Sequence, residues 1–411
     1  MRRNILLLTW IVTMVGTYCI VKEAQAAENR KRMLQAGIRS GVRHAPKPQP
    51  IPAAREGAAP LIQVALLLDT SNSMDGLIDQ ARTQLWDIVN EFATAKQGGK
   101  TADLRVALYE YGNTGIPAGE GHIRQVLPFT TDLDRVSEEL FALRTNGGDE
   151  YCGQVIQAAV SGLAWSRSRK ALKALYIAGN EPFTQGSVDY REACRDAVAR
   201  GISVNTIHCG SYDGGVSGMW QHGARIGDGA YASIDQNRAV AAIEAPQDRR
   251  LAELNARLNA TYVAYGAAGR EAEARQVAQD AQAAARGPAM APARTAAKAS
   301  SQYRNDKWDL VDVLRLRGRK EVYYNVSDKL ERGLPPAMEP MDPDERVAYV
   351  EGKAKEREEI QAEIKKLGGE RTRYVADEMK RRSLSNADTL QGALTQSLRE
   401  QAAAKGFALG R

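Results

Sequence analysis

Histidine and cysteine are scarce, four of each in 411 residues, and aromatics make up only 6% of the chain. No cysteine pair has the Cys-x-x-Cys or close Cys/His spacing that a tetrahedral zinc site needs. His208 beside Cys209 comes nearest, and it reads as packing at a strand end. His44, His122, His208 and His222 show no pairing with a nucleophile and an acid, and no Gly-x-Ser-x-Gly elbow occurs. QGGKT at 97–101 ends like a phosphate-binding loop, but Thr94 stands where its first glycine belongs, and it follows a helix instead of a strand. These gaps predict a protein that is not an enzyme.

Only one stretch is apolar enough to enter a membrane. Positive charge in Met1–Asn4, an apolar run from Ile5 to Val21 and the small-residue pattern Ala24-Gln25-Ala26 predict an export signal over residues 1–26, cleaved before Ala27. The alternative is an uncleaved anchor, since the run reaches the short end of what spans a bilayer. Export predicts a periplasmic or secreted protein in which Cys152, Cys194 and Cys209 remain, an odd number that allows one bridge among three pairings. Residues 27–60 are rich in proline and basic residues and poor in large apolar ones, which predicts a tether that does not fold alone. Such a leader also fits contact with an anionic envelope surface.

What the chain does have is concentrated in residues 61–89. Leu61 to Leu68 is almost unbroken apolar sequence, as in a parallel strand covered on both faces. From Leu77, apolar residues recur at three- and four-residue intervals, the period of a helix face. Between strand and helix, Asp69, Ser71 and Ser73 place one carboxylate and two hydroxyls at the strand's carboxyl end, the rim where open α/β sheets bind ligands. Hard oxygen donors of this kind suit Mg²⁺. Serines in these positions also serve simply to cap the helix.

The stretch resembles the Asp-x-Ser-x-Ser motif of the metal-ion-dependent adhesion site of von Willebrand factor A domains, matched by Asp69, Ser71 and Ser73. The resemblance implies a doubly wound, Rossmann-like, mostly parallel sheet, a bound Mg²⁺ (or Mn²⁺ or Ca²⁺), and a protein partner that offers a carboxylate to the metal. It also implies further ligands. Asp149 stands where the family has the threonine of Gly-Gly-Thr, after Gly147-Gly148, with Thr145 and Glu150 as weaker candidates. Asn180 stands where the family has an aspartate ending the fourth strand. Apart from the resemblance, Asp149 reads as a helix cap and Asn180 as part of a turn into Pro182.

Alternating strands and helices continue to about residue 245, with an antiparallel edge predicted at His122 to Leu127 and a last helix from Gln236. This block, 61–245, holds 16 Lys and Arg against 22 Asp and Glu, a balance of −6, so the remaining residues carry +12 of the overall +6. The basic excess belongs to the ends of the chain, and nucleic acid is not an expected partner. The rest reads as an α-helical extension (246–285), an Ala/Pro-rich linker (286–301) and a helical region (302–411). In that last part a charged helix from Asp344 to Leu367 is predicted to end at Gly368-Gly369. Its thin stripe, Val347, Val350, Ile360, Ile364 and Leu367, supports a coiled-coil seam or packing on the sheet domain, though it lacks three clean heptads.

The leading expectation is an exported protein-interaction module. Two alternatives are a hydrolase holding a metal between Asp69 and Asp149, and a metal-free structural component of the envelope.

Overall fold

Strand β1 (Leu61–Asp69) lies between two parallel neighbours, β4 (Asp103–Tyr111) and β6 (Leu172–Gly179), in the computed structural model. Its even residues Ile62, Val64, Leu66 and Leu68 enter one core and Ala65 and Leu67 the other, so the unbroken apolar run is the signature of a strand buried on both faces. The structure describes residues 59–92, 94–237, 243–287, 289–327, 333–385 and 389–409. The predicted export signal lies outside the described residues, as do residues 27–58 of the tether and 238–242 of the helix expected from Gln236; the described residues 236–237 and 243–247 are turns and coil, so the next helix starts only at Asp248.

The sheet has six strands in the order β5-β4-β1-β6-β7-β8, with β5 at Arg124–Thr130, β7 at Ser203–Cys209 and β8 at Tyr231–Ile234. All pairings are parallel except β4 with β5, the antiparallel edge that the sequence predicts. One face is covered by α3 (Cys152–Gly162), α4 (Tyr190–Ala199) and α6 (Trp220–Ile226). The other carries α1 (Asp75–Phe92) and α2 (Leu133–Ala142). A short α5 (Tyr212–Ser217) precedes α6.

The tail does not stand apart. Helices α7 (Asp248–Asn259), α8 (Gly266–Ala285), α9 (Met290–Lys298), α12 (Pro343–Arg381) and α13 (Leu390–Ala404) contribute to the same core as α1, through Leu254, Ala297, Ile364 and Leu394 among others. Helix α13 lies against α1, β6, β7 and β8. Its first free N–H groups are taken by α1: Leu390 N donates to Gln80 Oε1 (2.9 Å) and Gln391 N to Gln84 Oε1 (2.8 Å). Tyr176 Oη and Ser397 Oγ are 2.8 Å apart, and Gln401 Nε2 donates to Asn205 Oδ1 (2.6 Å). Finally β9 (Phe407–Ala408) pairs with β2 (Lys96–Gln97), which also pairs with β3 (Lys100–Thr101). The packing therefore crosses the boundary drawn at residue 245.

Two tail expectations are corrected. The Ala/Pro-rich stretch 286–301 contains the buried helix α9, because its alanines let the backbone approach α1 closely. Gly368-Gly369 does not end a helix; α12 runs through it for 39 residues. Two glycines cost roughly 1 kcal/mol each in a helix, which the neighbouring turns of a long, capped helix offset. The apolar stripe of α12 packs within the chain. Ile360 and Ile364 join the main core, while Val347 and Val350 meet α10 (Leu310–Arg317) and α11 (Arg319–Val326) in a smaller one.

Helix α9 also buries charge. Arg294 Nη1 lies 2.6 Å from Asp134 Oδ1, its Nε lies 2.5 Å from Asp280 Oδ1, and its guanidinium sits 4.6 Å over Trp86. Lys298 Nζ is 2.8 Å from Asp280 Oδ2 and donates to Asn259 Oδ1. Burial alone would raise the Asp280 carboxyl, but the Lys298 and Arg294 charges hold it well below the usual carboxylate range.

Candidate functional site

The carboxyl end of β1 delivers Asp69 into a fully buried position under the loop that carries Ser71 and Ser73. Asp69 Oδ1 accepts from Ser71 N (2.7 Å), a local turn that orients the carboxylate, while Oδ2 is buried with no hydrogen-bond partner. Ser71 Oγ and Ser73 Oγ are 3.3 Å apart, and Asn180 Nδ2 donates to Ser73 Oγ (3.1 Å). Asn180 Oδ1 is a second buried oxygen without a partner. Asp69, Ser71, Ser73 and Asn180 thus converge. Ser71 makes no helix-capping bond through its side chain.

Asp149 does not join them. Its side chain is 65% exposed, its Oδ2 is 3.9 Å from His122 Nε2, and its charge acts on Tyr151, so the pairing of Asp69 with Asp149 is not assembled. It does not cap α3 either. The next residue, Glu150, turns inward, is only 2% exposed, and stands beside Asp69. Glu150 Oε2 accepts from Glu181 N (3.3 Å), and Glu150 N donates to Gln185 Oε1 (3.2 Å), which fixes the inward turn. Thr145 donates to Asp75 Oδ1 (2.5 Å) and stays outside the cluster.

Gly112 makes room for this arrangement. It has φ +76°, and a Cβ there would fall 2.7 Å from Asp69 Oδ1 and 2.9 Å from Glu150 Cγ, so no larger residue leaves space for both carboxyls. Gly179, at the end of β6, is similar: a Cβ would lie 2.4 Å from Tyr111 Oη and 3.1 Å from Asp69 Oδ2. From the sequence Glu150 is a weaker candidate than Asp149. The only sequence signal for it is the glycine at 112, which no local pattern links to residue 150.

Burial, with the Glu150 carboxyl alongside, pushes Asp69 well above the usual carboxylate range, and burial raises Glu150 as well. Two adjacent buried carboxyls do not both ionise without a cation. A divalent ion fits this donor set, because it would neutralise the pair and engage the unpartnered oxygens of Asp69 and Asn180. Among the described residues no group of three or more His, Cys, Asp or Glu is placed to hold a metal. The donors here are instead two carboxyls, two hydroxyls and one amide oxygen.

Among the described residues Cys152, Cys194 and Cys209 are buried free thiols, not the bridge that export allows. Burial pushes Cys194 up to about 12 and Cys152 and Cys209 well above their ordinary value, so all three stay protonated. His208 packs on Trp220 at the end of β7, as expected from its strand-end place.

A doubly wound sheet with an Asp-x-Ser-x-Ser loop at its carboxyl rim defines a Rossmann-like protein with an oxygen-lined rim site. Residues 63–216 match the family model of the von Willebrand factor type A domain, and they form such a domain here. No curated protein matches the chain. Among solved structures the fold is similar to that of BatB from Bacteroides thetaiotaomicron, at 18% identity over 42% of this chain and 90% of that one, TM-score 0.32. It is also similar to the SpRpn10 VWA domain, at 14% identity over 44% of this chain and 100% of that one, TM-score 0.32. A third is proximal thread matrix protein 1 of the mussel byssus, described with a zinc-occupied MIDAS motif, at 12% identity over 43% of this chain and 42% of that one, TM-score 0.32. Each likeness covers less than half of this chain. Among the described residues no helix is long and apolar enough to cross a membrane.

Proposed function

We propose that the rim of the sheet captures a carboxylate of a partner protein through a divalent cation, in an exported, non-enzymatic module acting at the cell envelope. The observation that carries the proposal is the pair of buried oxygens that no hydrogen-bond donor reaches, Asp69 Oδ2 and Asn180 Oδ1, beside a second buried carboxyl, that of Glu150. Domains of this family are commonly protein-interaction modules with such sites. Asp69, Ser71, Ser73 and Asn180 would hold the ion, with Glu150 in the place expected of Asp149. Mg²⁺ is the first choice for these oxygen donors, ahead of Mn²⁺ and Ca²⁺. When bound, the cation supplies an open coordination position for the partner's carboxylate. Asp69 is oriented for this by Ser71 N, and Ser73 by Asn180. Export and an envelope location rest on the charged, apolar and small-residue pattern of residues 1–26.

Calorimetric titration of the full chain with Mg²⁺ and Mn²⁺ tests the site. The full chain is needed because α13 and α9 complete the core of the sheet domain. Wild type and Asp149→Asn are expected to bind, while Asp69→Ala and Glu150→Gln lose or weaken binding. Equal absence of binding in wild type and Asp69→Ala ends the metal reading.

A further inference from the structure

Beside the rim lies a cleft of about 620 Å³ whose walls include Arg82, Arg144, Arg286, Phe141, Asp75 and Gln282. Its three guanidinia come from three places: α1, the loop after α2, and the end of α8. Arg82 is held by backbone carbonyls, with Nε donating to Leu140 O (2.9 Å) and Nη2 to Leu143 O (2.7 Å). Arg144, exposed, donates Nη1 to the carbonyls of Phe141 and Leu143, both at 2.8 Å. Arg286 pairs with Asp79. The Arg82 and Arg286 guanidinium carbons lie 6.0 and 5.4 Å from the Phe141 ring centroid.

Carbonyl oxygens satisfy N–H groups without cancelling charge. Among the described residues neither Arg82 nor Arg144 forms an ion pair with a carboxylate, and the three positive charges share the cleft with two carboxylates, Asp79 on Arg286 and Asp75 in the wall, which leaves it a net positive charge. Burial, then the Arg286 and Arg144 charges, lower the proton affinity of Arg82, in keeping with this crowding. Gln282, in the same wall, has its side-chain oxygen buried without a partner. The volume is that of a site for several heavy-atom groups, not of a single ion.

The cleft and the rim share a wall. Thr145 Oγ1 donates to Asp75 Oδ1 (2.5 Å), Asn72 N to Gly147 O (2.9 Å) and Asn146 N to Thr70 O (2.9 Å), which ties the arginine-bearing loop to the one that carries Ser71 and Ser73. We propose that the Arg82, Arg144 and Arg286 cleft takes carboxylate side chains of an acidic peptide, the segment of the partner protein that lies next to the residue held at the rim. This identification of the peptide as the partner's own segment rests on the reading of the rim as a protein-capture site; the anion binding itself needs no metal. Guanidinium and carboxylate match as planar, two-point partners. Asp75 in the wall and Asp79 on Arg286 repel a doubly charged phosphate more than a singly charged carboxylate.

The test is fluorescence anisotropy with labelled hexaglutamate on the full chain, in chelator and at low salt. Wild type is expected to bind it, with affinity falling as salt rises, and not to bind hexalysine. Arg144→Glu is expected to weaken binding by about tenfold or more, with an unchanged thermal melt. Should Arg144→Glu unfold, Arg286→Gln carries the same expectation. Absence of hexaglutamate binding, or unchanged affinity in a folded arginine variant, overturns the proposal. So does displacement of the peptide by inorganic phosphate at matched charge, which would mark a small-anion pocket. Loss of Mg²⁺ binding alone sinks the rim reading and leaves these outcomes as they stand.

Discussion

Buried carboxylates occur in two places in this molecule and are treated in opposite ways. In the helical layer, Asp134 and Asp280 each meet a buried cation, and Arg294 and Lys298 are themselves only 2% and 0% exposed. At the sheet rim, Asp69 and Glu150 meet each other, and no basic side chain answers them among the described residues. Asp280 is accordingly held below the usual carboxylate range and Asp69 pushed above it. The chain thus has the means to neutralise a buried acid where the group is structural. Leaving the rim short of positive charge is consistent with a cation that arrives from outside.

The contrast breaks most visibly in the helical layer. Arg294→Met keeps the bulk over Trp86 but strands Asp134, and an unfolding titration in urea should show a loss of about 3–5 kcal/mol. A loss near zero would mean that the network is not a matched set. Next in size is the effect of the ion: at about 100 times its dissociation constant, Mg²⁺ should stabilise wild type by about 2.7 kcal/mol and leave Asp69→Ala unmoved, read as a shift in melting temperature. A smaller effect of opposite sign is expected from Asp69→Asn in chelator. Asparagine keeps the acceptor for Ser71 N and donates towards Glu150, so this variant should be more stable than wild type by about 1 kcal/mol at neutral pH.

The pH profile is the finest test. Asp69 and Glu150 have raised pKa values in the folded state, so the stability linked to their shared proton is complete below the ordinary carboxylate value of about 4 and is lost as pH rises above it. Asp280 has a lowered one, so its contribution is complete above about 4 and is lost as pH falls below it. In chelator, the gap between Asp69→Asn and wild type should therefore widen from about pH 4 to pH 7, and urea midpoints at several pH values would show it. A constant gap would remove the electrostatic reading of the rim.

The sheet was legible because its signals are local. A strand buried on both faces must be apolar at every position, and the residues that follow must change to helical period, so β1, α1 and the rim loop could be placed from residues 61–89 alone. The tail was opaque for the complementary reason. Alanine-rich sequence such as Met290–Lys298 serves equally as a linker or as a close-packed helix, and only contact with α1 distinguishes them. Charges such as Arg294 and Lys298 read as surface residues until the partners Asp134 and Asp280, far away in sequence, are brought to them. At the rim the difficulty was one residue of register. Whether Asp149 or Glu150 turns inward depends on how the loop is held by Glu181 and Gln185 and on the space left by Gly112.

The sequence by itself determined the strand-loop-helix unit with Asp69, Ser71 and Ser73 at its turn, because periodicity and residue chemistry act over a few neighbours. Tertiary structure alone decided that Glu150 faces Asp69, that three arginines gather at one cleft, and that the final helix closes the sheet domain. Those outcomes depend on burial and charge between residues widely separated along the chain, which no local pattern records.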